Sequence, residues 1–303
     1  MPTRAYARSL GGFTLVELMV VLVIVAMLAS LTLAGLSGVR ERAKADKTRS
    51  TIRKINAVIQ PMYESYATRR VPATGSSPRT RAENRLRNIR VVMTVEMPDL
   101  WDDVGFAFPA SFNWAQNAVH RRYTAYKTAV NAVTAASDPR FTRYESAETL
   151  MMIMSRSGFE PDCMAAFRAD EIGDIDRDGA AEFWDGWGRP IAFRRWPASF
   201  ASPLLSTSTP DPLDTMRLTA DWAMFPLIFS AGADEANNDP LSGASGYAFR
   251  HRTAPSWLQS LTGAIPPVPS TCVGNDNGGI NAADPDQVRA ASDNITNYDL
   301  LKK

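Results

Sequence analysis

The chain has 303 residues, with 33 Lys and Arg against 32 Asp and Glu, for a net charge of +1. So even a balance gives no broad field that would recruit nucleic acid, and no specific nucleic-acid partner is expected. The two histidines, His120 and His251, stand in no triad or metal motif, and no Walker-type phosphate loop appears, so the sequence is not read as an enzyme.

At the N-terminal end, a basic leader carrying Arg4 and Arg8 closes on Gly11-Gly12, and Phe13 opens a long apolar run. Glu17 sits at the fifth position of that run, and the nineteen residues from Leu18 to Leu36 carry no formal charge. That length suits a membrane-spanning helix of about 20 residues. A carboxylate in such a segment costs roughly 2.5 kcal/mol or more at the bilayer centre, so Glu17 needs a partner. A secretory signal peptide, with Thr32-Leu33-Ala34 as a weak cleavage site, would have a shorter apolar core and no glutamate. A plain single-pass anchor explains the length, but not Gly-Phe and the fifth-position Glu together.

The arrangement Gly12-Phe13-Thr14-Leu15-Val16-Glu17 followed by an apolar helix resembles the prepilin signal of type IV pilins and type II secretion pseudopilins. The resemblance implies cleavage between Gly12 and Phe13 by a prepilin peptidase, followed by N-methylation of Phe13. It implies that Glu17 pairs with the Phe13 amine of a neighbouring subunit. The implied partners are other pilin or pseudopilin subunits, an inner-membrane assembly platform and inner-membrane lipid. The leader would stay cytoplasmic, and the C-terminal domain of this single-pass inner-membrane protein would face the periplasm.

The expected organisation is a leader (1–12), a transmembrane or filament-core helix (13–36) and an amphipathic continuation of that helix (37–68). A helical insertion (69–165) and a C-terminal β/loop region (166–303) follow. The basic cluster Arg40, Arg42, Lys44, Lys47, Arg49 and Arg53 is expected at the headgroup level. Ile52, Ile55, Val58, Ile59, Met62, Tyr63 and Tyr66 recur at three- and four-residue steps, the buried face of an amphipathic helix. Pro61 is a candidate kink. Residues 70–81 read as a loop, and 84–95, 114–136 and 147–155 as helices. Segments 189–196 and 225–230 read as strands. The fold class is α+β and pilin-like: a long N-terminal helix packed on a small antiparallel sheet.

Asp174-Ile175-Asp176-Arg177-Asp178-Gly179 sets three aspartates at alternate positions before a glycine, and Glu182 and Asp185 follow. This spacing matches an EF-hand loop with Asp185 at the twelfth place, and its hard oxygen donors favour calcium. Next, Asp185-Gly186-Trp187-Gly188-Arg189-Pro190 and Ser230-Ala231-Gly232-Ala233-Asp234 resemble paired motifs of major pseudopilins. Asp293-Asn294-Ile295-Thr296-Asn297 resembles the segment that closes the second of these, where calcium is bound. On that resemblance Asp234, Asp239 and Asp293 are second-rank ligands. Cys163 and Cys272 carry no metal-ligand spacing, and an oxidising compartment would permit a disulfide between them. Trp184, Trp187 and Trp196 are read as core rather than as a ligand platform.

These readings converge on a structural subunit of a type II secretion pseudopilus. The alternatives are a minor type IV pilin and a membrane-anchored periplasmic calcium-binding domain that never polymerises.

Overall fold

The computed structural model describes residues 14–104, 124–126, 128, 144–195, 211–217, 225–233 and 295–298, side chains 31–35, 37 and 102 excepted. The chain divides into two compact units, Met1–Ala43 and Lys44–Lys303. One helix, α1 (Leu15–Ser65), runs through the boundary and includes Pro61 within its last turns. A single 3₁₀ turn, Tyr66–Thr68, ends it.

In the first unit, the described large apolar side chains of α1 are exposed, among them Leu15 (74%), Leu28 (59%) and Val39 (60%). A helix that is apolar on every side belongs in a membrane or inside an assembly. Among the described residues no helix is long and apolar enough to cross a membrane. The uncharged run of the sequence passes through residues 31–35, whose side chains lie outside that description.

In the second unit the same helix becomes amphipathic. All seven residues of the periodic face, Ile52 to Tyr66, are at most 6% exposed. Burial of one such side chain stabilises by roughly 1.5–3 kcal/mol, so this stripe is the main apolar contribution of α1. After an irregular segment comes α2 (Pro78–Glu96). It begins six residues before the expected helix because Ser77-Pro78 is a start signal and not a breaker. Ser77 caps the helix by accepting from Thr80 N at 3.1 Å, and proline occupies the first turn, where its missing N–H costs nothing.

The short helix α3 (Trp101–Val104) follows. Of the expected helix over 114–136, residues 124–126 and 128 are helical, and the rest lies outside the described residues. Helix α4 (Glu145–Arg156) contains the expected 147–155 segment. Leu86, Ile89 and Val92 of α2 and Leu150 and Ile153 of α4 join the core of α1. Helices α2 and α4 are therefore built into the same core as α1.

Among the described residues, five short strands complete the unit. β1 (Ile172–Gly173) and β2 (Glu182–Phe183) form a two-stranded antiparallel hairpin. β3 (Ala192–Arg194), β4 (Leu227–Ser230) and β5 (Ile295–Thr296) form an antiparallel sheet in the order β3-β4-β5. Phe193 faces Ile228 across the first pair, and Phe229 faces Thr296 across the second. Phe183, Phe193, Ile228 and Ile295 all reach the helical core. The fold is thus α+β, a helical layer on small antiparallel sheets.

Three polar devices lock these layers. Lys54 and Thr51 of α1 both hold the buried Glu171 just before β1, at 2.8 Å each. Lys47 pairs with Asp170 at 2.7 Å, so part of the basic cluster is committed to the fold. Buried Arg195, beyond β3, donates to Asp103 Oδ2 and Met97 O, each at 2.8 Å, and contacts Asp99 at 3.3 Å. Burial pushes the Asp103 carboxyl up to about 7 against the pull of Arg195.

The third device is the turn between β2 and β3. Asp185 Oδ1 accepts from Trp187 N at 2.8 Å and Arg189 N at 2.9 Å, and Oδ2 accepts from Ser230 Oγ at 2.7 Å. Arg189 donates to the carbonyls of Gly232 and Ala233. Gly186 N donates to Thr48 Oγ1 at 2.8 Å, which brings the turn against α1. A Cβ on Gly186 would sit 2.2 Å from Lys44 O, so only glycine allows this approach.

Two stability changes follow. Arg195→Leu leaves buried carboxylates without their cation and should destabilise by about 3–5 kcal/mol, read as a lower urea midpoint. Gly186→Ala should cost about 1–3 kcal/mol, because backbone rather than a flexible side chain must move. Wild-type midpoints in both variants would contradict this account.

Candidate functional site

Two places carry chemistry beyond packing. The first is the start of α1. Glu17 N donates to Thr14 Oγ1 at 3.2 Å, while Glu17 Oε2 accepts from Thr14 N at 2.8 Å and from Thr14 Oγ1 at 2.9 Å. This is a capping box, in which a threonine and a glutamate three residues on satisfy each other's backbone donors. Leu18 N closes the first helical turn on Thr14 O at 3.2 Å. The carboxylate thus has local partners at the helix start. The Thr-x-x-Glu spacing is the sequence signal for this box. Gly12 and Phe13, the expected processing residues, lie outside the described residues.

The second place is the β1–β2 hairpin, whose connection holds the acidic loop. Three backbone donors shape it: Gly179 N to Asp174 Oδ2 at 3.0 Å, Ala180 N to Asp178 Oδ1 at 2.7 Å and Ile175 N to Glu182 Oε2 at 3.2 Å. Gly179 has φ of 98°, a conformation only glycine adopts without strain. Arg177 takes φ of 60° between two aspartates, an uncommon state for a non-glycine residue. One oxygen of Asp174 and of Glu182 is thus spent on the loop. The other, Asp174 Oδ1 or Glu182 Oε1, is buried and has no hydrogen-bond partner, as are both oxygens of Asp176.

Oxygens of Asp174, Asp176 and Asp178 lie within 4.8 Å of one another. Glu182, Asp176 and Glu148 form a second such group. Glu148 comes from the first turns of α4 and is 1% exposed; its Oε2 accepts from Trp101 Nε1 at 2.7 Å, while Oε1 has no partner. Burial, reinforced by the charges of Asp178, Asp176 and Glu182, pushes Glu148 up to about 10. Burial, with Asp176 and Asp174 nearby, pushes Glu182 up to about 8. The Asp176 carboxyl is raised by its burial and by Asp178.

Asp185, expected at the twelfth ligand position, is in neither group. The strand β2 ends at Phe183, and Asp185 belongs to the following turn, where its oxygens hold Trp187, Arg189 and Ser230. Glu148 was missed because it is distant in sequence. Its one signal was a carboxylate in the apolar run Ala147–Met154.

Asp234, Asp239 and Asp293 lie outside the described residues, as do Cys272, His120, His251 and Trp196. Cys163 is a buried free thiol that donates to Met154 O at 3.2 Å. Asn297, within the segment resembling the pseudopilin C-terminal motif, exchanges bonds with Ile228 and donates to Asn56 Oδ1 at 2.8 Å. It ties β4, β5 and α1 together, which sequence reasoning did not see. Trp187 packs against the core.

No characterised protein and no solved structure matches the chain. Residues 8–33 match the family model of the prokaryotic N-terminal methylation motif, which is typical of type IV pilin and pseudopilin precursors.

Proposed function

We propose that the chain is a structural subunit of a type II secretion pseudopilus, cut between Gly12 and Phe13, methylated on Phe13 and polymerised through α1. The methylation motif is that of a pilin-like precursor, a structural rather than catalytic class with a membrane-anchored N-terminus. The observation that carries the proposal is the change along α1: apolar side chains exposed on all sides from Leu15 to Leu28, then a single buried stripe from Ile52 to Tyr66. Such a helix serves two hydrophobic surroundings, its own domain and something outside it. In this reading the outside surroundings are first the inner membrane, then the helices of sister subunits, on an inner-membrane assembly platform. The second unit faces the periplasm.

The pseudopilin reading is favoured over a minor type IV pilin by two motifs that act as one device. Asp185 binds Ser230, and Arg189 binds the carbonyls of Gly232 and Ala233. Glu17 is poised to exchange its Thr14 partners for the methylated amine of a neighbouring Phe13, since a carboxylate in an apolar interior must stay paired.

Two measurements test this. Intact mass and N-terminal sequencing of membrane-purified protein should give a chain beginning with N-methylated Phe13; an unprocessed Met1 terminus sinks the proposal. Glu17→Ala should be processed yet assemble poorly, read as loss of the sheared filament fraction. Filament yield equal to wild type would instead favour an anchored monomer.

A further inference from the structure

The carboxylates of the β1–β2 hairpin and α4 form a group outside residues 8–33 of the methylation motif. Glu148 and Glu182 are 1% and 0% exposed; each carries an unpartnered oxygen, and each offers an oxygen within 4.8 Å of one on Asp176. A buried acceptor without a donor is costly, and more so when charged. Four such acceptors lie on Glu148, Asp176 and Glu182, and Asp174 adds another. Among the described residues, Glu148, Asp174, Asp176 and Glu182 make no ion pair. Hydrogen bonds to Trp101 Nε1, Ile175 N and Gly179 N occupy only one oxygen each, and orient the other.

We propose that this group holds a hard divalent cation of the calcium class, with Glu148 of α4, Asp176 and Glu182 as primary ligands and Asp174 and Asp178 completing the shell. Asp176 belongs to both groups and has both oxygens unspent, so it is the shared ligand. The donors are all carboxylate oxygens with no imidazole or thiolate, which selects calcium over zinc. Many protein ligands in a dry site also disfavour magnesium, which retains its waters. Oxygens within 4.8 Å of one another suit ligands at 2.3–2.6 Å from one ion.

The ligand from α4 gives the site its consequence. A loop that bound calcium by itself would stiffen only the hairpin. Glu148 makes the cation a clamp between a core helix and that hairpin, next to the Trp101 indole of α3. The cation then stabilises the whole 44–303 unit, and the exported domain would reach full stability only where calcium is plentiful.

Full-length protein in detergent is titrated with terbium, exciting tryptophan so that Trp101 sensitises bound metal, and calcium is added as competitor. Thermal unfolding is followed with calcium and with chelator. We expect sensitised emission that calcium displaces, and an unfolding temperature several degrees higher with calcium. Glu148→Gln keeps an acceptor for Trp101 and replaces a ligand carboxylate oxygen by an amide. It should therefore weaken terbium binding about tenfold or more, while leaving the unfolding temperature in chelator near the wild-type value. A merely structural Glu148 would instead lower that temperature and leave the terbium affinity unchanged. Asp185→Asn should lower stability but leave the terbium affinity of the folded protein unchanged. No metal response in wild type overturns the proposal. So does binding that survives Glu148→Gln, whether it is lost in Asp185→Asn or in Asp234→Asn.

Discussion

The burial of one face of α1 between Ile52 and Tyr66 is the constraint on which the rest of the second unit depends. These seven side chains leave little polar surface for the helix to present inward, so every other element must bring apolar groups to them. α2 and α4 do so with aliphatic and methionine side chains, and the strands with Phe183, Phe193, Ile228 and Ile295. Strands of two to four residues would be marginal alone. They persist because a long helix gives them a surface to cover. The same dependence explains the density of buried polar anchors between layers, where short strands supply few ladder bonds of their own.

Asp185 shows how such anchors substitute for sheet. It closes its own turn through two backbone donors and reaches β4 through Ser230, while the adjoining glycine lets the turn touch α1 backbone. Asn297 performs the equivalent task at β5, bonding Ile228 in the manner of a strand residue and reaching Asn56 of α1 with its amide. Asp185 ties its turn to β4, and Asn297 ties its own segment to β4 and α1, each through one small side chain, so each is sensitive to replacement. These segments, which resemble pseudopilin motifs, therefore have an architectural task in the fold.

Much of this was legible in the sequence because it is local. The 3.6-residue period over 52–66 marks the buried face, and all seven residues named from it are in the core. The strand signals at 189–196 and 225–230 were equally plain, and the shorter strands 192–194 and 227–230 lie within them. What was not legible depended on distance along the chain. Counting twelve positions from Asp174 assumes a continuous loop, but the chain enters β2 at Glu182 and turns away, so Asp185 leaves and Glu148 arrives from α4. The start of α2 was misplaced for a different reason. Proline breaks a helix interior yet favours a first turn, and only the Ser77 cap distinguishes the two.

The two carboxylate problems of this chain have opposite solutions, and the contrast bears on how each part works. Glu17 lies in an apolar stretch, but it is placed at the third position of a helix, where backbone donors are unspent. Its partners are only local and exposed, so they can be exchanged at modest cost when a better cation is presented. Glu148 and Glu182 are sealed in the core, with one oxygen fixed by a donor and the other left empty. The donors at hand are few: Trp101 Nε1 is already bound to Glu148, and the Trp184 indole lies beside Glu182. An exchangeable pair suits a subunit that must change neighbours during assembly. A fixed, electron-rich hollow suits a group that arrives from solution and stays.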